Sequence, residues 1–423
     1  MTGAGFALTA CVAAAPTGQP SEPAAQATEI EVWHVNENEL DPIIKTFEAA
    51  NPGVKVKFQY YPWGDFFDKL DTAYAAGTPP DVHRQDDDAI PFFAQRNVLL
   101  PLDEYLLNTL NKDDLYWSAV ESTMINGKLW VAISAMRVDN FIYNKSMFDA
   151  AGVAFPPTTY PSEAWTFDKF RETAAALSKP DELIFGAAGV DNADFMTTIG
   201  RSSGGRILDE ECLEFLMHES AMVNAIQAAA DMMQVEKSAA DPETMSAMGG
   251  GMEMFNLGQA AMVYGQTRDV PAADVEFEWD VAPMPIIPGN DPVVFSAIEC
   301  WGVPQVSEQR EQAVAFAAHL MSQESQLLFA QTKNIIPINK KAATEIWAAP
   351  DKVPPSRKLL VEQLAYGQTL PFAVAFGEVQ DIAWPAIQEV ALGQKTAQTA
   401  MDEVKPLCDQ VLQTAGGCLG APA

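Results

Sequence analysis

The stretch EIEVWHVNENELDPIIKTFEAANPGVKVKFQYYPWGDFFDKLDTAYAAGTPPDVH, residues 29–83, decides the fold class. Its opening, Glu29-Ile30-Glu31-Val32-Trp33, alternates polar and apolar side chains, the period of a strand with one buried face. From Leu40 to Ala50 the period lengthens. Ile43, Ile44 and Phe47 fall on one helical face, and Asn51-Pro52-Gly53 stops the helix. Val54-Lys55-Val56-Lys57-Phe58 alternates again as a second strand. Phe66 to Ala76 reads as a helix broken by Gly77-Thr78-Pro79-Pro80, and Asp81-Val82-His83 starts a third strand. Strands separated by helices imply βαβ units and a mostly parallel sheet, an α/β fold.

The same logic continues along the chain. Phe141–Tyr143 reads as a strand, and Trp165–Leu177 as a helix with Thr166 at its N-cap and Lys169 where a capping-box Glu would sit. Ala221–Met233 is a helix, Ala260–Val263 a short buried strand, and Glu311–Gln331 one long helix. Pro371–Gly393 and Thr396–Leu412 form a helical C-terminal region. No period of 20–50 residues repeats, which excludes solenoids and propellers.

The chain has 423 residues, a prior of two or three domains at roughly 150 residues each. Lys and Arg number 26 against 57 Asp and Glu, a net charge of −31. That balance argues against nucleic acid, whose affinity comes from phosphate neutralisation, and against docking on anionic lipid or capturing polyanions. It leaves neutral ligands open. Four His and five Cys leave little material for a metal centre, and none is expected.

At the N-terminus, Phe6–Ala10 is a short apolar run ending at Cys11, followed by an Ala/Pro/Ser/Thr/Gln-rich tract to Thr28 that reads as a flexible tether. Leu8-Thr9-Ala10-Cys11 looks like a lipobox, which makes Cys11 the expected lipidation site; the alternative is an incidental Cys in a tail. No basic residue precedes Cys11, so a complete export signal would start upstream of Met1. No run of 18 apolar residues occurs beyond it, so no spanning helix is expected. An exported protein can form disulfides. Cys408 and Cys418, with Gly416-Gly417 allowing a turn between them, are the first-choice pair; Cys212 and Cys300 pair or stay buried as thiols.

Several segments, in this order, resemble one family: residues 47–82 of the opening stretch, LLPLDEYL (99–106), NGKLWVAI (126–133), FIYNKSMFDAAGV (141–153), WTFDKFRETAAALS (165–178), MFNLGQAAMVYG (254–265), APMP (282–285) and AVAFAAHLMSQESQLLFAQTKNIIPINKKAA (313–343). Each is soft alone; their order and spacing over nearly the whole chain make the match specific. The chain resembles the extracytoplasmic solute-binding proteins of carbohydrate ABC importers, the group of maltose- and trehalose-type binders. The resemblance implies a two-lobed, type II periplasmic-binding-protein-like α/β fold. The first lobe would hold residues 29–136 and 299–336, the second 137–298 and 337–423, with residues 1–28 as signal remnant and tether. Hinges would fall near Arg137, Ala297 and Ile336. It further implies a binding protein, not an enzyme, with no cofactor. Its ligand would be a neutral carbohydrate, its partner the transmembrane permease subunits, its only membrane contact the lipid anchor, and its state a monomer. A polyol or glycerophosphodiester-like solute, or a sensor role on the same fold, is the alternative. Neighbouring permease genes would favour transport, and a sensor-kinase gene signalling.

Ligands of open α/β sheets bind beyond the carboxyl ends of the strands, here between the lobes. A sugar ring offers an apolar face to an aromatic plane and a hydroxyl rim to carboxylates, amides and guanidinium groups. Trp63, in Tyr60-Tyr61-Pro62-Trp63-Gly64-Asp65, is either displayed on a turn or packed beneath it. Gln85, Asp86, Asp87 and Asp88 follow the third strand. Three adjacent acids repel one another and need an offset: sugar hydroxyls, Arg137 or Arg84, or a helix start at Ala89 that one or two of them cap. Arg137 stands at a hinge position that the resemblance makes ligand-contacting and acidic in maltose-type binders, so this chain departs from the pattern there. Glu299 and Trp301 follow the second hinge; Gln266 and Arg268 follow the strand ending at Gly265; Asp194 lies in the segment that lines the second-lobe wall. Lesser candidates are Trp33, Asn36, Asp139, Phe195, Phe376 and Trp384, the last two more readily core residues.

Other chemistry finds no support. A glycosidase needs a defined carboxylate pair, and none is isolated. No G-x-S-x-G elbow occurs. Gly249-Gly250-Gly251 lacks the Lys and Ser/Thr of a phosphate loop. Met245, Met248, Met252 and Met254 read as adaptable packing.

Overall fold

The computed structural model describes residues 27–37, 40–269, 275–332 and 335–419. In chain order, the elements that position the site are β1 (Thr28–His34), α1 (Asp41–Ala50), β2 (Val54–Tyr60), α2 (Trp63–Ala76), β3 (Val82–Asp86) and the long β4 (Ala132–Asn144). There follow α3 (Phe167–Leu177), β5 (Phe185–Ala188), α4 (Ala193–Ser202), α5 (Ser220–Gln234), β6 (Ala260–Gln266), β7 (Trp279–Ala282) and β8 (Val294–Gly302). The chain closes with α6 (Arg310–Leu320), α7 (Gln323–Thr332), β9 (Ile336–Pro337), α8 (Phe376–Ala391) and α9 (Ala397–Ala415).

The strands form one hydrogen-bonded path, β2-β1-β3-β8-β4-β6-β5, with β7 and β9 also on β4. β1 runs parallel to both β2 and β3, as the βαβ reading requires. β8 returns antiparallel between β3 and β4. β4 is the spine. Its first half pairs with β8 and β9, and its second half, from Asp139 on, with β6 and β7. Every residue of β4 and of β8 is buried. Two half-sheets thus share one strand.

Local signals act as read. In α1, Ile43 and Phe47 are buried and Ile44 packs half-buried against the same core. Thr166 caps α3 by accepting the Lys169 N–H at 3.1 Å. Two helical expectations change. The long helix over 311–331 is broken, because Ser322 ends the run and its Oγ accepts the Ser325 N–H at 3.2 Å, starting α7 as a new helix. The helix expected from Pro371 begins at Phe376, since Ala373 is drawn into a β-bridge with Cys418.

The disulfide expectation is corrected. Cys418 is bonded to Cys212, across 206 residues, with Cα atoms 5.0 Å apart. Cys408 is a buried thiol on the inner face of α9, and Cys300 is a buried thiol in β8. The chain after α9 turns at Gly416 and Gly417, both in the left-handed region, and the Cys418 N–H donates to the Glu211 carbonyl. That turn aims Cys418 at Cys212. The lipidation expectation at Cys11 lies outside the described residues. Among the described residues no helix is long and apolar enough to cross a membrane.

Candidate functional site

The carboxyl ends of β1, β3 and β6 meet the crossing strands β4 and β8 around a cavity of about 630 Å³. β1 delivers Asn36, α2 begins with Trp63, β3 supplies Arg84, β4 Arg137, β8 Glu299, and the turn after β6 Arg268. Parity explains much of this set. In paired antiparallel strands, residues opposite each other share a face. Arg137 opposes Ala297, and Glu299 opposes Asp86 across β3–β8 and Ala135 across β8–β4. The intervening Met136, Ser296 and Ile298 face away and line a larger cavity of about 820 Å³ behind the crossing strands. The smaller cavity is the better candidate, because buried charge converges there.

Asp86 organises that charge. Its Oδ1 accepts Arg84 Nη2 at 2.7 Å and Arg137 Nη2 at 2.8 Å. Burial opposes the ionised form, but Arg84 and Arg137 outweigh it and hold Asp86 below its usual value. Its neighbours go the other way. Burial raises Asp87 to about 7, although its Oδ1 accepts the Ile298 N–H at 3.0 Å. Burial, then Asp86 and Asp87, raises Asp88 to about 8. The triple-Asp loop therefore relieves its repulsion in two ways: two guanidinium groups on Asp86, and protonation of its neighbours.

The β6 side continues the network. Tyr264 donates its hydroxyl to Asp139, and Gln266 Nε2 donates to the same carboxylate at 3.4 Å. Burial, with Asp194 nearby, pushes Asp139 well up. Asp194 rises to about 6 by burial, opposed by Arg137, Arg268 and Arg201. Arg268 stands 5.9 Å and Arg84 4.7 Å from the Trp63 ring centroid.

The structure sorts the expected residues into three groups. Trp63 (44% exposed), Asn36, Arg137, Arg268 and Glu299 line the cavity. Asp86 adjoins it through its bonds to Arg84 and Arg137, with Asp87 and Asp88 next in the chain, and Asp139 and Gln266, joined by a hydrogen bond, lie on the strands beside it; Gln85, alternating with Arg84 and Asp86 along β3, is buried on the other face of the sheet, a correction to its expected role. Asp194 and Trp384 border an adjoining cavity of about 900 Å³ together with Tyr264. The remaining expectations are corrected. Trp301 is fully enclosed: its ring stacks on His34 with centroids 5.2 Å apart, and its Nε1 donates to Ser134 Oγ at 2.9 Å. It has no face left for a sugar. Phe195 is enclosed by Phe141, Phe167, Phe170 and Tyr264. Phe376 is a core residue of α8. Trp33 lies on the sheet surface, edge-on to Tyr61 at 4.8 Å, with its Nε1 on Glu31. Trp63 is not in a free turn; it opens α2, where Pro62 precedes it.

Sequence reasoning missed Tyr264 and Arg201. Tyr264 sits two residues before Gln266, hence on the same face of β6. Arg201 lies seven residues after Asp194, two turns along α4, and acts on this site only as a nearby charge, because its Nη2 donates to Gln368 Oε1 and the Thr369 carbonyl at the larger cavity. Both periodicities were available.

The site also holds an unusual stock of unsatisfied polar atoms. Among the described residues, Arg84 Nε and Nη1, Arg137 Nε, both amide atoms of Gln85, Gln266 Oε1 and Thr267 Oγ1 are buried without a hydrogen-bond partner. Each such group costs about 1–3 kcal/mol when left unpaired. Those of Arg84 and Arg137 belong to residues that line one cavity, a surface built to meet a polar molecule. Among the described residues, no group of three or more His, Cys, Asp or Glu is arranged to hold a metal ion.

A family model described as bacterial extracellular solute-binding protein matches residues 35–327. A maltooligosaccharide ABC transporter solute-binding lipoprotein of Streptococcus pneumoniae is 23% identical over 395 residues, 88% of this chain and 86% of that protein. Among solved structures, an ABC substrate-binding protein of Listeria monocytogenes in complex with cycloalternan superposes with a TM-score of 0.83 at 23% identity, covering 92% of this chain and 99% of that one. UgpB from Mycobacterium tuberculosis in complex with glycerophosphocholine gives 0.78 at 20%, covering 92% and 99%. These likenesses establish the two-lobed binding-protein fold.

Proposed function

This chain belongs to the bacterial extracellular solute-binding protein family, and from that premise we propose that it captures a sugar between two lobes and hands it to an ABC permease. The lobes are residues 29–136 with 299–336 and residues 137–298 with 337–423, and they hinge near Arg137, Ala297 and Ile336. The observation that carries this reading is the convergence of the buried, unpartnered Nε and Nη1 of Arg84 and Nε of Arg137 on the cavity that the displayed Trp63 ring also lines. A ring stacked on Trp63 would place its hydroxyl rim against those groups.

Closure follows from where the contacts come from. Trp63 belongs to the first lobe and Arg268 to the second, and they stand 5.9 Å apart. A ligand held by both stabilises the closed form by the contacts it makes only there, which is what shifts the equilibrium. The closed form is the one the permease would recognise. Cys11 carries the lipid that keeps the monomeric receptor at the membrane; the Streptococcus pneumoniae relative is itself named a lipoprotein.

The test is thermal unfolding of the full chain against a sugar panel that includes glycerophosphocholine and polyols. A cognate sugar at a hundredfold its Kd adds about 2.7 kcal/mol of stability and raises Tm. A melting temperature unmoved by every sugar rejects the sugar reading, and a rise with the phosphodiester alone replaces it.

A further inference from the structure

We propose that the ligand bears an anionic group, a carboxylate or a phosphate, seated among Arg84, Arg137 and Arg268. This rests on the reading of the cavity as the sugar site and departs from it in one respect: the favoured sugar is acidic, not neutral.

A guanidinium has N–H donors in a planar fork and no acceptor. Arg84 is 2% exposed and Arg137 5%, yet the hydrogen bonds of both converge on one oxygen of one carboxylate, Asp86 Oδ1. Arg84 Nε and Nη1 and Arg137 Nε remain buried and unpartnered. An arginine buried purely for structure would have these donors satisfied. A sugar hydroxyl brings a donor of its own with every acceptor it offers. A carboxylate or phosphate oxygen brings acceptors only and matches the fork.

Arg268 adds the third cation. It is half exposed, shares the Trp63 ring with Arg84, and its nearest acid, Asp269, is 3.7 Å away while also accepting the Gln266 N–H. The other acids at the cavity are engaged or muted. Glu299 Oε1 accepts Ser134 Oγ–H at 2.5 Å. Asp87 and Asp88, raised to about 7 and about 8, carry less than full charge at neutral pH. Glu37 stands at the solvent rim. The chain's overall −31 does not forbid this, because surface charges beyond about 8 Å are screened at physiological salt while the three arginines act at contact distance.

The experiment is calorimetric titration of the full chain with matched pairs, D-glucuronate against D-glucose and D-galacturonate against D-galactose, with glycerol 3-phosphate and inorganic phosphate as non-sugar anions. The acid should bind about 10- to 100-fold more tightly than its neutral partner, and the ratio should shrink with added salt. Arg268→Gln, at a half-exposed position, should cut the ratio several-fold. Arg137→Lys, which keeps charge but loses the fork, should cut it too. Because the readout is a ratio within one folded variant, a general loss of stability does not imitate it. A neutral sugar binding as tightly as its acid overturns the inference and leaves the sugar reading standing. Glycerol 3-phosphate or phosphate binding in an arginine-dependent way, with no sugar bound, removes the sugar reading and keeps the anion. Silence of every compound overturns both.

Discussion

Trp63 and Trp301 have the same side chain and opposite surroundings. The Arg84 and Arg268 guanidinium groups stand over the Trp63 ring, which is 44% exposed; Trp301 is 0% exposed, stacked on His34 and tied to Ser134. Trp301→Ala should therefore lower stability by about 3–5 kcal/mol, as deletion of a buried aromatic does. Trp63→Ala should leave the unfolding midpoint nearly unchanged and weaken ligand binding about tenfold or more, since stacking and the seating of two arginines are lost together. Denaturant titration and calorimetry on both variants separate the roles. Equal affinity in Trp63→Ala and the parent would remove Trp63 from the site. From sequence the two were indistinguishable, for a reason that lies in β8. Register shifts between Glu299 and Cys300 as that strand passes β4, so counting alternate residues from the hinge loses the face at Trp301. The strand-end acids and Arg137 needed no such count; their position relative to the break in pattern was enough to place them.

Among the elements, β4 was read as only three residues, Phe141–Tyr143, and spans thirteen. Arg137, Asp139 and Asn140 interrupt its apolar run, and interruption reads as loop. Arg137 and Asp139 are buried nonetheless, because the face of the strand they share looks toward a polar cavity instead of a hydrocarbon core, and Asn140 is buried on the opposite face. A functional strand thus disguises itself precisely where it works, whereas α1, α3 and β2, packed on apolar cores, show their periods openly. The disulfide failed differently. Nearness in sequence favoured Cys408, but α9 points Cys408 into its packed face, and the turn at Gly416-Gly417 delivers Cys418 to Cys212. Peptide mapping without reductant should recover the 212–418 fragment pair and an unbridged Cys408. Reduction should cost about 2–5 kcal/mol, because the bridge closes a loop of 206 residues in the unfolded chain. A 408–418 fragment would contradict the arrangement.

For the whole molecule, the acidity at the cleft couples folding to pH, and the sign can be worked out group by group. Asp87 and Asp88 titrate at about 7 and about 8 in the folded chain, against roughly 3.9 when unfolded. Between those limits the native state holds protons that the unfolded state has released, so the free energy of unfolding falls as pH rises. Their contribution is complete below about pH 4 and gone above their folded values. Buried His83, lowered to about 4, and His319, also lowered by burial, act with the opposite sign, but only below the ordinary histidine value near 6.5. Asp191 and Asp194, both raised to about 6 by burial, are largely ionised by then. Asp86, held low by its two arginines, matters only in acid. The window from about pH 6.5 to 8.5 therefore belongs to the raised cleft carboxyls, Asp87 and Asp88, together with Asp139, which burial also pushes well up. Stability of the ligand-free protein should decline across it by up to about 1.4 kcal/mol per pH unit for each proton lost. Denaturant unfolding at a series of pH values measures the slope. Asp88→Asn, which fixes the neutral form, should flatten it, whereas general repulsion from a net charge of −31 would act on parent and variant alike. If both slopes coincide, the carboxyls of this cleft are not its source, and the proton balance argued for the Asp86–Asp88 loop is wrong.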